Sequence, residues 1–203
     1  STYGIQLDLS DSSTQEIATD DFDTLKNIED IKASQLDDKI TGNDKDNEID
    51  GNEGSDSIIS SAGDDTIDGG VDSTNDDTDV MDYSNQNGKI VLNTTSGTSD
   101  YTVDKIATNK TDSVTNIEEV IGTDYDDTMT GDNQKDVFKS GSGDDELTGN
   151  AGDDSLYGQA GDDTLIGGTG NDILDGGSNT TIGDTVDYSS RNDEVKIDLS
   201  NSQ

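Results

Sequence analysis

The 203-residue sequence predicts an all-β fold made by stacking very short strands, and three observations predict it. From Gly122 to Asp175 the chain reads as six consecutive nonapeptides on one template. The eighth position is always apolar (Met129, Phe138, Leu147, Leu156, Leu165, Leu174) and the sixth is always Asp (Asp127, Asp136, Asp145, Asp154, Asp163, Asp172). Hydrophobic residues make up only 26% of the chain, too few for a conventional core. Burial therefore has to come from lining up one apolar side chain per repeat.

Gly149-Asn150-Ala151-Gly152-Asp153-Asp154-Ser155-Leu156-Tyr157 shows the division of labour within a repeat. Its glycine-rich hexapeptide makes a turn whose backbone needs positive φ, which glycine adopts at little cost. The triplet Ser155-Leu156-Tyr157 forms a short strand whose middle residue points one way and its neighbours the other. One apolar residue in nine cannot bury a face alone, but stacked copies can. Carboxylates stacked at the same repeat would repel unless a cation sat between them. Turn carbonyls and Asp oxygens are hard ligands that suit Ca²⁺. Composition alone favours an acidic disordered segment; the unbroken apolar file reverses that preference.

The pattern G-G-x-G-x-D-x-(apolar)-x resembles the repeats-in-toxin (RTX), or haemolysin-type, calcium-binding repeat. The resemblance implies a parallel β-roll with two nonapeptides per coil and Ca²⁺ held between turns on each side. It also implies an extracellular bacterial protein, usually exported by a one-step (type I) secretion channel. Toxins, proteases, lipases, adhesins and surface-layer proteins all carry the repeat, so it speaks to fold and metal more than to role.

The chain opens with Ile5-Gln6-Leu7-Asp8-Leu9, whose alternation reads as a half-buried strand. Ser10 to Asp21 is polar and is expected to be loop. Asp23 to Ile31 leads into a first array; Ile31 lies nine residues before Ile40 and is expected to form a coil that caps the roll. That array runs from Ala33 to Asp68, with Ile40, Ile49, Ile58 and Ile67 as its apolar file and Asp38, Asn47, Asp56 and Asp65 at the sixth positions. Leu36 and Lys45 replace the fourth-position glycine, and Asn47 is neutral. Calcium is therefore expected to bind more weakly around Asp38 and Asn47. After Gly69-Gly70 an insertion carrying Asp72, Asp76, Asp77 and Asp79 breaks the period; these either complete a terminal site or solvate a loop.

Asp82-Tyr83-Ser84 and the strand-like Lys89-Ile90-Val91-Leu92-Asn93 restart the pattern, with Ile90 matching Ile5. A second polar stretch follows, and Val120 then precedes Met129 by nine, as Ile31 precedes Ile40. In the second array Tyr125 and Gln134 hold the fourth position of the first two turns, and Gly143, Gly152, Gly161 and Gly170 hold it later. Asp187-Tyr188-Ser189 repeats Asp82-Tyr83-Ser84, and Val195 to Leu199 begins the strand again. The expected organisation is two rolls in tandem joined by short strand and capping segments. Module 1 spans 1–84 (cap 1–32, roll about 33–82) and module 2 spans 85–189 (cap 85–121, roll about 122–187), with 190–203 opening a further module or terminal strand.

With two nonapeptides per coil, residues 18 apart face each other. The pairs Asp38/Asp56, Asn47/Asp65, Asp127/Asp145, Asp136/Asp154, Asp145/Asp163 and Asp154/Asp172 then give roughly six calcium cages by solenoid stacking. Affinity is expected near the extracellular range, about 10⁻⁴ to 10⁻³ M. The chain carries 48 acidic and 11 basic residues, a net charge of −37, so nucleic acid and anionic membranes are expected to be repelled. No apolar run is long enough to span a bilayer. There is no cysteine, so calcium would replace disulfides as the staple.

No histidine or cysteine is present for a nucleophilic triad, and the carboxylate pairs fall at repeat positions, so no enzyme is expected. Tyr83 and Tyr188 read as packing at module joints rather than as a sugar platform. The leading expectation is a calcium-folded structural segment of a large secreted bacterial surface protein: an adhesin, biofilm-matrix protein or surface layer. Its rival is the secretion and folding appendage of an exported enzyme or toxin. A lectin-like module is a third class. Neighbouring modules or self-assembly are the macromolecular partners considered.

Overall fold

The computed structural model describes residues 4–71, 77–94, 100–178, 182–191 and 196. Among them there is no helix, and so none long and apolar enough to cross a membrane. The strands are β1 (Gln6–Asp8), β2 (Thr14–Ala18), β3 (Asp21–Thr24), β4 (Asp30–Lys32), β5 (Lys39–Thr41), β6 (Glu48–Asp50), β7 (Ser57–Ile59), β8 (Thr66–Asp68), β9 (Val80–Asp82) and β10 (Ile90–Thr94). They continue as β11 (Asp100–Lys105), β12 (Lys110–Thr115), β13 (Glu119–Ile121), β14 (Thr128–Thr130), β15 (Val137–Lys139), β16 (Glu146–Thr148), β17 (Ser155–Tyr157), β18 (Thr164–Ile166), β19 (Ile173–Asp175) and β20 (Thr185–Val186).

Successive triplets of an array alternate between two sheets, so each strand pairs in parallel with the one 18 residues on. Ile40 pairs with Ile58 in the first sheet and Ile49 with Ile67 in the second. In the second array Met129, Leu147 and Leu165 lie in register in one sheet, and Phe138, Leu156 and Leu174 in the other. The eighth-position side chains point between the sheets and are buried from Ile40 to Leu165, while Leu174 packs against that core half-buried. This is the parallel β-roll that the resemblance implies, and its core is one file of side chains from each sheet.

The two arrays share their sheets. The first sheet runs β1-β5-β7-β9-β13-β15-β17-β19, passing from one array to the next where Met81 pairs with Val120. The second runs β20-β18-β16-β14-β10-β11-β12-β8-β6-β4. Its joint is an antiparallel insert, β10-β11-β12, that pairs β12 with β8 on one side and β10 with β14 on the other. The segments expected as modules 1–84 and 85–189 are thus stacked end on end through continuous sheets, with Tyr83 wholly buried where they meet. Ile31 lies in β4, which pairs with β6 at one end of the second sheet.

Two expectations need correcting. Ser10 to Asp21 is not all loop, because Thr14–Ala18 pairs with Asp21–Thr24 as a hairpin. The second polar stretch also holds β11 and β12. Its strands hide their alternation behind polar residues: Tyr101, Val103 and Lys105 face inward on β11, and Asp112 and Val114 on β12. A buried lysine and a buried aspartate erase the apolar half of the period-two signal. The strand expected at Val195 to Leu199 lies outside the described residues except for Lys196, and Asp72 and Asp76 lie outside them too.

Candidate metal centre

The sixth-position side chains form two ladders, one on each side of the roll. In each rung the backbone N–H of one residue donates to Oδ1 of the residue 18 further on. On one side Asp38 donates to Asp56 (2.8 Å), Asp136 to Asp154 (2.9 Å) and Asp154 to Asp172 (3.2 Å). On the other, Asn47 donates to Asp65 (2.9 Å), Asp127 to Asp145 (2.7 Å) and Asp145 to Asp163 (2.9 Å). All six pairs expected 18 apart are therefore brought together. All ten of these side chains except that of Asp172 are buried.

Each ladder continues past its array. Asp56 N–H donates to Asp79 Oδ1 (2.7 Å), whose own N–H donates to Glu118 Oε2 (2.8 Å). Asp65 N–H donates to Asp112 Oδ1 (3.0 Å), and Asp163 N–H to Asp184 Oδ1 (3.0 Å). Asp79 thus belongs to the ladder rather than to a solvated loop. Asp112, Asp184 and Glu118 are absent from the expected site, yet the sequence carries a signal for them. Asp79-Val80-Met81, Asp112-Ser113-Val114 and Asp184-Thr185-Val186 each repeat the acid-x-apolar triplet of positions six to eight, and Glu118-Glu119-Val120 does so with Glu. Asp112 and Glu118 have no glycine turn before them, and Asp79 and Asp184 stand ten and eight residues after Gly69 and Gly176 instead of five, which broke the recognisable period.

A second, exposed ladder runs through the fifth positions in the opposite sense. Asp144 N–H donates to Asp126 Oδ1 (3.0 Å), Asp162 N–H to Asp144 Oδ1 (3.0 Å) and Asn171 N–H to Asp153 Oδ1 (2.8 Å). Sequence reasoning assigned these aspartates no role, because solvated acids are common on any surface.

The residues fit a divalent cation. Oδ2 of Asp154 and of Asp163 is buried and accepts no hydrogen bond, which is costly for a carboxylate oxygen unless a cation meets it. That oxygen lies over the first-position glycine: a Cβ on Gly149 or Gly158 would collide with Asp154 Oδ2 or Asp163 Oδ2. Gly143, Gly152, Gly161 and Gly170 adopt φ of +129° to +152°, and a Cβ there would strike the backbone of the turn 18 residues before. Stacked turns therefore approach backbone to backbone, which brings peptide carbonyls near the unpaired oxygens. Among the described residues no group of three or more acidic side chains converges. Each cage relies on one carboxylate per turn plus carbonyls, an all-oxygen set that suits Ca²⁺ rather than zinc or a softer metal.

Electrostatics point the same way. Burial pushes Asp136 up to about 6 and Asp145 up to about 7, and it also raises Asp127, Asp154 and Asp163. Burial thus disfavours the charged form of these carboxylates, and a cation among them would favour it. Asp154, Asp163, Asp145 and Asp56 would hold Ca²⁺ with the turns stacked above and below them.

The first turns of each array differ. Asp38 is closed by its own turn, with Oδ2 accepting Ser34 N–H (2.6 Å) and Oδ1 accepting Ser34 Oγ (2.8 Å). Asp127 is closed likewise by Thr123 N–H (2.7 Å) and Thr123 Oγ1 (3.0 Å), Asp136 by Asp132 N–H (3.0 Å), and Asn47 by Asn43 N–H (2.9 Å). Tyr101 Oη also donates to Asp136 Oδ1.

A family model described as the RTX calcium-binding nonapeptide repeat matches residues 41–76, 115–147 and 148–180. No curated protein matches the chain. The matched segments cover half of the sequence and coincide with the two ladders, so the chain belongs to the RTX calcium-binding nonapeptide repeat family.

Proposed function

We propose that this calcium-binding chain is a structural module of a large secreted bacterial surface protein, such as an adhesin, a biofilm-matrix protein or a surface layer. The observation that carries this reading is the recurrence of the array exit. At the first exit Ser84 N–H donates to Asp82 Oδ1 (2.8 Å) and Gln86 N–H to the Tyr83 carbonyl (2.9 Å). At the second, Ser189 N–H donates to Asp187 Oδ1 (2.6 Å) and Arg191 N–H to the Tyr188 carbonyl (3.0 Å). At both exits an acid outside the nonapeptides takes the next rung: Asp79 accepts from Asp56 N–H and Asp184 from Asp163 N–H.

The first exit receives the next array: Met81 and Tyr83 are wholly buried there. The second presents the matching Val186 exposed and Tyr188 half-buried. Among the described residues β20 pairs on one side alone, with β18, and a strand edge of that kind is a template for further pairing. A repeated joint favours an extended rod of modules over an appendage to an exported enzyme or toxin, and the reading assigns the chain no catalysis. Calcium would act as the folding switch, since metal binding energy here is folding energy.

The test is to join two copies of the chain through the register of the internal joint and to measure small-angle scattering in calcium. The reading expects one rigid rod of about twice the length. Two independently tumbling units would sink it and favour the appendage.

A further inference from the structure

We infer that the Lys105 ammonium takes the cation position at the joint end of the second-sheet ladder, so that this cage is closed by a tethered lysine instead of a calcium ion. The inference rests on the reading that the sixth-position ladders hold calcium; Lys105 and Asp112 lie between the family-model matches, and the turn 60–65 that they close lies within one.

Lys105 ends β11 and its side chain is 2% exposed. Its Nζ donates to the carbonyls of Ser61 (2.8 Å) and Gly63 (2.6 Å) and to Asp112 Oδ1 (2.6 Å), and lies 3.4 Å from Asp65 Oδ2. These are the second- and fourth-position carbonyls and the sixth-position carboxylate of the turn 60–65, together with the acid on the next rung. They form the oxygen set that a cage between stacked turns would offer an ion.

The reason for a lysine here is that the repeat stops. In the second array the second-position carbonyl accepts an amide from the turn above: Ala160 N–H donates to Gly141 O (3.0 Å) and Thr169 N–H to Asn150 O (2.7 Å). Among the described residues no nonapeptide turn stacks on 60–65; β12 pairs with β8 there and contributes a strand with Asp112 in place of a loop. The Lys105 ammonium lies at the centre of these oxygens, while Gln86 Nε2 also donates to the Ser61 carbonyl (3.2 Å) and Ser61 Oγ to Asp65 Oδ2 (3.0 Å). Without the ammonium, Asp65 and Asp112 would be two buried carboxylates on adjacent rungs with no cation between them, an arrangement that burial disfavours. Burial pushes Asp112 up to about 6, and the adjacent ammonium pulls against it.

The same hairpin serves the outer ladder. Lys110 Nζ donates to Asp64 Oδ2 (2.7 Å) and lies 3.4 Å from Asp46 Oδ1, two consecutive fifth-position acids. Tyr83 Oη completes the inner cluster by donating to Asp112 Oδ2 (3.0 Å). Thus the joint brings its own cations to the place where the stacked turns end.

Two measurements on the full chain decide this. In calcium-grown crystals of the unaltered protein, long-wavelength anomalous maps should show ions between stacked turns and none within the Ser61, Gly63, Asp65 and Asp112 oxygens. An ion there, with ions elsewhere, overturns the inference alone; no ion anywhere removes the calcium reading and this inference with it. In equilibrium dialysis against calcium, Lys105→Met should bind one more ion per chain than the unaltered protein. Lys105→Met/Asp112→Asn should lose that extra ion. An unchanged count in a folded Lys105→Met chain would also overturn the inference. If Lys105→Met does not fold, the crystal map decides it.

Discussion

The opening turns of each array and the turns above them share one template yet solve different problems. Turns 33–38, 42–47, 122–127 and 131–136 carry Leu36, Lys45, Tyr125 and Gln134 at the fourth position, and their sixth-position side chain is held by the turn's own second residue. Turns 51–56, 140–145, 149–154, 158–163 and 167–172 carry glycine at the fourth position, with positive φ there and at the second position. The difference follows from stacking. A later turn sits on one 18 residues before it, so its fourth residue can have no Cβ. An opening turn has none beneath it in its own array, so a bulky residue costs nothing. The departures from the template therefore mark the position of a turn in the stack before they mark any weakness for calcium.

The largest effect should come from the metal. At pH 8, removing calcium with a chelator should abolish most of the β signal in far-ultraviolet circular dichroism, and magnesium, which prefers smaller octahedral sites, should not restore it. Within the calcium-loaded protein, Asp154→Asn should be far worse than Asp38→Asn. Asp154 belongs to two of the expected cages and has an unpaired buried oxygen, whereas Asp38 belongs to one and is closed by Ser34. Equilibrium dialysis should show a loss of about two ions for Asp154→Asn and at most one for Asp38→Asn, taking one ion per all-oxygen cage. Equal losses would mean that the two kinds of turn hold calcium alike.

Next in size is the fourth position. Gly161 has φ +152°, and a Cβ there would lie inside contact distance of the Gly143 carbonyl oxygen. Gly161→Ala should cost about 1–3 kcal/mol in backbone strain before the clash is counted. Lys45→Ala and Tyr125→Ala, at exposed fourth positions of opening turns, should stay within about 0.5 kcal/mol. Thermal unfolding in saturating calcium measures both. A tolerated Gly161→Ala would remove the stacking account of the template.

Much of this was legible in the sequence, for physical reasons that also set the limits. The eighth-position file fixed which residues share a sheet, because a period of nine with two repeats per coil leaves no freedom of register. The six acid pairs followed from the same arithmetic. What stayed hidden was the joint. Asp112, Lys105 and Tyr101 are inward-facing residues on strands, and polar side chains at buried positions remove the alternation by which strands are recognised. Asp79 and Asp184 kept their acid-x-apolar triplets and the glycine over the carboxylate, Gly69 and Gly176, but extra residues between glycine and acid broke the period of nine.

The pH axis tests what both kinds of turn share, which is burial. Asp136 belongs to an opening turn and is pushed up to about 6; Asp145 belongs to a later one and is pushed up to about 7. An unfolded Asp titrates near 3.9, so between about pH 4 and 7 the metal-free fold binds more protons than the unfolded chain. Its stability therefore falls as pH rises through that window. In chelator, the β signal should be larger at pH 5 than at pH 8. In limiting calcium the order should reverse, because protons and calcium compete for the same oxygens. A metal-free chain more ordered at pH 8 would show that these carboxylates are not buried as described.

The smallest effect sharpens the comparison at the second position. Thr123 is buried; its Oγ1 donates to Asp127 and accepts Tyr125 N–H (3.1 Å). Thr123→Val keeps the shape and removes the hydroxyl, so it should cost about 1–2 kcal/mol, the penalty of leaving an amide and a carboxylate under-bonded. The corresponding residue of a later turn, Asn150, sits at φ +72° and donates from Nδ2 to the Gly131 carbonyl (2.6 Å). There a β-branched residue meets a left-handed backbone, so Asn150→Thr should cost more than Thr123→Val even though it installs the side chain the opening turn uses. Were the two turns interchangeable, Thr would be accepted at both places. A greater loss at 150 than at 123, read from unfolding in calcium, would show that the same position in the template is filled by opposite rules at the base of a stack and within it.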